Sequence, residues 1–206
     1  ALRRTRLVSD GQEALAGDLE DLIPRLSDPG RQHQLQLELA RLYRDPLNQM
    51  TVAVDLLREL LNEEGSIQDE ALAVLEAMFA SGEATDSVAP ILDETYRQRS
   101  DLPRLAHVLQ VRLRIADTLD EQLGLIEELQ SHYEGELANP SSAFDVVSTR
   151  FTLDPNDEGS WEDLHRLAGI TGRWEALAEL WRGALNEEDS EVASPTGKSA
   201  TNDLKI

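Results

Sequence analysis

Moved along itself by 90 positions, the chain meets its own pattern. Gln32 falls on Gln122, Leu35 on Leu125, Glu38 on Glu128, Leu39 on Leu129 and Tyr43 on Tyr133. Without a gap, Leu47 then falls on Leu137, Ala53 on Ala143, Asp55 on Asp145 and Gly82 on Gly172. These matches sit at the spacing of helix-core residues and at helix-ending glycines, the mark of internal repetition. "RLSD" at 25–28 answers "RIAD" at 114–117 one residue out of step, and "GQEALAGDL" from Gly11 returns as "GRWEALAELW" from Gly172 with Trp174 added. Copies of this kind bury their apolar residues against their neighbours, so the expected product is an elongated α-solenoid and not a globule around one central core.

The repeated material is helical. From Gln12 to Glu187 apolar residues recur with the helical period, and no stretch sustains the alternation of a strand. Helices are predicted at about 11–27, 31–45, 48–64, 68–81, 84–98, 102–117, 120–136, 141–152, 159–171 and 174–187. "SDPG" at 27–30, Asp45-Pro46, Gly65, Gly82, "NPSS" at 139–142, "DPND" at 154–157 and Gly172 punctuate them. Asp101 and Ser141 are candidate N-caps, and Gly82 and Gly172 stand where a helix ends in a left-handed residue. Pro24 and Pro90 fall inside predicted helices, which implies kinks or misplaced boundaries. Aromatic residues make up only 4% of the chain, which suits helices better than strands.

The expected organisation is an arm or the end of a preceding helix at 1–10, a helical repeat domain at 11–187 with copies near 31–118 and 120–187, and a disordered polar tail at 188–206. That tail holds both lysines, Lys198 and Lys205, and ends in "NDLKI", a candidate docking motif. A helix pair with its turns occupies roughly 35 residues, the scale of tetratricopeptide-type repeats.

The run "HYEGELANPSSAFDVVSTRFTLDPNDEGSWEDLHRLAGITGRWEALAELW", His132 to Trp181, resembles the tetratricopeptide-like (TPR-like) repeats of large bacterial repeat proteins. The resemblance rests on a Tyr-Glu start, Asp154-Pro155, a following Trp161 with Leu164, and Gly172-Arg173-Trp174. "ARLYRDPLNQMTVAVDLLRELL", Ala40 to Leu61, looks like an earlier copy. The sequence departs from the family's pattern where Ala71 answers Trp161 and Ala84 answers Trp174, and in having five helices per 90 residues. The resemblance implies antiparallel helix pairs, about ten helices in a right-handed superhelix, and a non-enzymatic scaffold that binds a partner's peptide or helix.

Charge and residue inventory narrow the chemistry. With 40 acidic against 19 basic residues the net charge is −21, so nucleic acid and anionic membrane surfaces are repelled, and a protein partner with a basic segment is favoured. The absence of cysteine removes thiolate metal sites and cysteine nucleophiles. No apolar run is long enough for a membrane span and the first residues do not form a secretory signal, so a cytoplasmic location is expected. "SPTGKSA" lacks the Gly that a phosphate-binding loop requires, since position 192 is Val. His33, His107, His132 and His165 form no i, i+4 chelating pair. "NDEGSWED" at 156–163 resembles in part a terpene-cyclase metal helix but has Leu164 where an acid is needed, so it reads as a capping turn.

The expectation is therefore no catalytic residue, no metal and no cofactor. An all-α enzyme of metal-dependent prenyl type, with an acidic cleft, is the alternative, and a structural segment of a larger array is a third reading. Candidate partner contacts are Tyr43, Arg44, Tyr133, Trp174 and Trp181. The last two stand seven apart on one helix stripe, placed either to pack on helix 159–171 or to offer apolar surface to a further repeat, a second copy or a partner.

Overall fold

The computed structural model describes the backbone of residues 2–192 and the side chains of residues 11–185. Among these residues every regular element is helical: α1 (Leu2–Leu22), α2 (Pro29–Arg44), α3 (Met50–Leu61), α4 (Ser66–Ser81), α5 (Thr85–Arg99), α6 (Leu102–Ile115), α7 (Leu119–Glu134), α8 (Pro140–Leu153), α9 (Glu158–Thr171) and α10 (Trp174–Val192), with a 3-10 turn at Ile23–Arg25. The chain divides into two compact units, 1–111 and 112–206, and the division falls inside α6. Within the first unit α1 packs on α2, α2 on α3, α3 on α4 and α4 on α5. Within the second, α7 packs on α8, α8 on α9 and α9 on α10. Next-but-one helices also touch, α2 with α4, α3 with α5 and α8 with α10. Packing on sequence neighbours is the arrangement of an all-α helical repeat.

The local geometry recurs at a spacing of 90. The bounds of α7 are those of α2 displaced by that number. Asp28 and Thr118 cap the two helices, accepting from Gly30 N at 3.1 Å and Glu121 N at 3.3 Å. The out-of-step "RLSD"/"RIAD" match is thereby corrected: cap answers cap at 90. The following turns are built alike, with Gln49 N donating to Tyr43 O and Asn139 N to Tyr133 O, both at 2.7 Å. Each turns on a left-handed residue, Asn48 at φ 52° and Ala138 at φ 45°. Ala53 and Ala143, fully buried, let α3 and α8 approach their neighbours closely. Gly82 (φ 78°, ψ 14°) and Gly172 (φ 75°, ψ 12°) end α4 and α9 in the left-handed conformation that favours glycine.

After those glycines the register changes. Ala84 precedes α5 and its carbonyl accepts from Val88 N, whereas Arg173 precedes α10 and accepts from Leu177 N. The second turn is one residue shorter, so from there the spacing is 89. Trp174 therefore answers Thr85, not Ala84 as the ungapped comparison had it.

Several predicted boundaries shift. α1 begins at Leu2 and runs through Gly11 and Gly17, because Leu and Arg are good helix formers and each interior Gly costs only about 1 kcal/mol. It stops at Leu22, and Pro24 occupies the 3-10 turn. Pro90 stays inside α5, on its exposed side. Asn139, not Ser141, caps α8, its side chain accepting from Ser142 N at 3.1 Å. Asp101 does cap α6, accepting from Arg104 N at 3.3 Å. α10 continues to Val192, into the span expected to be tail; "NDLKI" lies outside the described residues.

Candidate functional site

Three of the five candidate contact residues are used for packing within the first unit or its counterpart. Tyr43 is buried, and its hydroxyl donates to Glu20 Oε1 at 2.5 Å. That carboxylate, with burial, pushes the phenol up to about 12. Tyr133 is buried at the matching position. Both rings are buried within the helical packing. Arg44 pairs with Glu83 at 2.9 Å, tying the end of α2 to the turn after α4. The guanidinium, then Ser81, holds the Glu83 carboxyl below its usual range.

The two tryptophans both face α9. Trp174 meets His165 edge-on at 5.2 Å, lies over Gly169 and is 48% exposed. Trp181 stacks on Trp161 at 5.0 Å and 27°, and Trp161 meets Phe151 edge-on at 5.2 Å. Trp161, whose indole N–H donates to Pro155 O at 2.7 Å, was not among the sequence candidates. Its partner Trp181 is 20 positions away on the next helix, so no local pattern announces the pair. The Trp181 Nε1 is buried without a hydrogen-bond partner.

Beside this cluster, between α8 and α10, lies a groove of about 450 Å³. Phe144, Phe151, Ala176 and Leu180 supply apolar walls, while Asp145, Arg173 and Glu179 supply charge. Arg173 lies over the Phe144 ring at 4.2 Å and donates to Asp145 Oδ1 at 2.5 Å and to Ser141 O at 3.2 Å. An Arg held by an aromatic face and a carboxylate is fixed without being used up, since the guanidinium has five N–H donors.

The first unit explains what opens the groove. Ser148 of α8 stands where α3 has Arg58, and Gly183 and Ala184 of α10 stand where α5 has Glu94 and Thr95. Three positions that carry larger side chains in the first copy carry smaller ones in the second, while Phe144 and Phe151 stand where the first copy has Val54 and Leu61, and all five second-copy residues line the groove. Periodicity alone could not find this, because small polar residues on a helix face read as ordinary surface.

Below the groove, Asp157 organises the start of α9. Its carboxylate accepts from Gly159 N and Ser160 N at 3.2 Å and from the Ser160 hydroxyl at 2.5 Å, and pairs with Arg150 at 2.8 Å. The Ser160 hydroxyl, then the charge of Arg150 and the two backbone donors, hold the Asp157 carboxyl below its ordinary range. "DPND" is thus a capping turn, as expected. Among the described residues no group of three or more His, Asp or Glu converges as a metal site, and no helix is long and apolar enough to cross a membrane.

No protein-family model matches the chain, and comparison with curated proteins and with solved structures finds none similar to it.

Proposed function

We propose that the chain is a non-enzymatic, TPR-like scaffold that holds a peptide or helical segment of another protein in the groove between α8 and α10. The observation that carries this reading is a groove that joins two phenylalanines, Phe144 and Phe151, where the first copy has Val54 and Leu61, to smaller side chains at Ser148, Gly183 and Ala184 than the first copy carries. Apolar walls with a few placed charges suit recognition of an apolar anchor flanked by polar groups. Asp145 and Glu179 at the rim, within a chain of net charge −21, favour a segment that also carries basic residues.

The test restores the first copy's residues, Gly183→Glu with Ala184→Thr. Phage-displayed peptides selected on the whole chain are expected to combine an apolar anchor with a basic residue. They should lose at least about tenfold in affinity for the restored variant, the scale of a lost central contact. Equal affinity for both proteins, with helicity unchanged by circular dichroism, would remove the groove as the site.

A further inference from the structure

The residues after Val192, "ASPTGKSATNDLKI", follow directly on α10, the helix that forms one wall of the α8/α10 groove. They hold both lysines of the chain, Lys198 and Lys205, and their two large apolar residues, Leu204 and Ile206, stand on either side of Lys205. In an extended segment Leu204 and Ile206 share one face and Lys205 takes the other. The groove offers the complement. Phe144, Phe151, Ala176 and Leu180 wall it, and Asp145 at its rim is engaged by Arg173. Glu179, exposed at the lip, pairs with no described basic residue.

Length lets the segment return to the groove. Leu180 lies about 18 Å back along the helix axis from Val192, at about 1.5 Å per residue. Ser194-Pro195-Thr196-Gly197 carries the signature of a chain-reversing type I turn, with Ser first, Pro second and Gly fourth. From Gly197 an extended chain covers about 23 Å to Leu204, at about 3.3 Å per residue. A segment that reverses there brings Leu204, Lys205 and Ile206 level with Leu180, Glu179 and Ala176, to within about one helical turn. The first copy lacks both halves of this match. Its wall helix α5 is followed at once by α6, and Arg58, Glu94 and Thr95 stand where the groove has Ser148, Gly183 and Ala184.

We infer that the segment 198–206 folds back into the α8/α10 groove of its own chain, Leu204 and Ile206 against the apolar walls and Lys205 at Glu179, so that a partner must displace it. The inference rests on that groove being a peptide site. A weak contact suffices, because a short connection holds the segment at an effective concentration of the order of 1 mM. With an intrinsic dissociation constant of about 0.1 mM the segment fills the groove in about nine molecules of ten, and a partner's apparent affinity falls about tenfold.

Amide NMR spectra of the whole chain, compared with those of Leu204→Asp combined with Ile206→Asp, test it. The substitutions put charge where apolar contact is needed, and they lie beyond α10, outside every described helix. The amides of Ser148, Ala176 and Gly183 should shift between the two proteins. The shifts should be equal at about 20 and about 300 μM, both below the effective concentration of the order of 1 mM. In a chain already carrying Gly183→Glu and Ala184→Thr the tail substitutions should leave those amides of Ser148 and Ala176 unmoved. Peptides selected on the groove should bind the Leu204→Asp/Ile206→Asp protein about tenfold more tightly than wild type. Shifts confined to the neighbours of the substitutions would overturn the inference whatever the peptides do. Shifts that appear only at the higher concentration would seat the segment in another molecule and overturn it as well. Groove shifts together with peptides that bind wild type and the Gly183→Glu/Ala184→Thr protein equally would uphold the fold-back and remove the groove as the partner's site.

Discussion

Replacing Asp157 by Ala isolates the capping turn that starts α9. Two losses add. The first is the N-cap itself, two backbone N–H groups left without their acceptor, worth about 1–2 kcal/mol. The second is the Ser160 hydroxyl, which lies on a fully buried residue and has Asp157 as its acceptor; leaving such a group unpaired costs about 1–3 kcal/mol. The Arg150 pair is partly exposed, so it adds little. A loss of about 3 kcal/mol follows, or a fall of about 1–3 M in the urea midpoint at a slope of about 1–3 kcal/mol/M. The assay is selective because all three tryptophans, Trp161, Trp174 and Trp181, lie in the second unit. Fluorescence follows that unit, and circular dichroism at 222 nm follows both. The Asp157→Ala protein should show an early fluorescence transition, and adding Ser160→Ala should recover part of the loss by removing the stranded hydroxyl. A fluorescence midpoint within about 0.5 kcal/mol of wild type, the range of inert surface changes, would refute the reasoning.

Other outcomes follow from the same contacts. Asp157, Glu134 and Glu83 are all held below the ordinary carboxylate range, by Ser160, Arg166 and Arg44 respectively as the largest cause. Their contribution is present above the unfolded carboxylate range, so chemical-denaturation stability should fall as pH drops below about 4, towards the lower folded values. Tyr43, pushed up to about 12, gives the opposite edge: stability should fall between about pH 10 and 12, and absorbance at 295 nm should show one fewer tyrosine titrating there in Tyr43→Phe. The left-handed turn residues predict a reciprocal pair. Ala138→Asn should stabilise and Asn48→Ala should destabilise, each by roughly 1 kcal/mol, since Asn tolerates this conformation better than Ala; urea midpoints read both.

Most of the fold was legible because helical periodicity and turn residues agree along the chain. Gly82 and Gly172 announced their own conformation, and Ala53 and Ala143 announced close packing. What escaped was contextual. The shorter turn at Arg173 is invisible to an ungapped comparison, and it moves Trp174 from the partner of Ala84 to the partner of Thr85. Tyr43 and Tyr133 carried a packing signal that is indistinguishable, in one sequence, from a contact signal. The α8/α10 groove was hidden because its defining residues are notable only against their counterparts ninety or eighty-nine positions earlier. Trp161 could not be paired with Trp181 until α9 and α10 were set side by side.

That single shortened turn has an implication for how such a chain can change over time. In a protein folded around one shared centre, losing a residue between two helices displaces side chains that many distant segments depend on. Here, among the described residues, α10 packs on α8 and α9, so a difference of one residue in the turn before it changes the register of α10 against those two helices and leaves the pairing of α7 with α8 as it is. Evolution can edit a molecule of this kind one joint at a time.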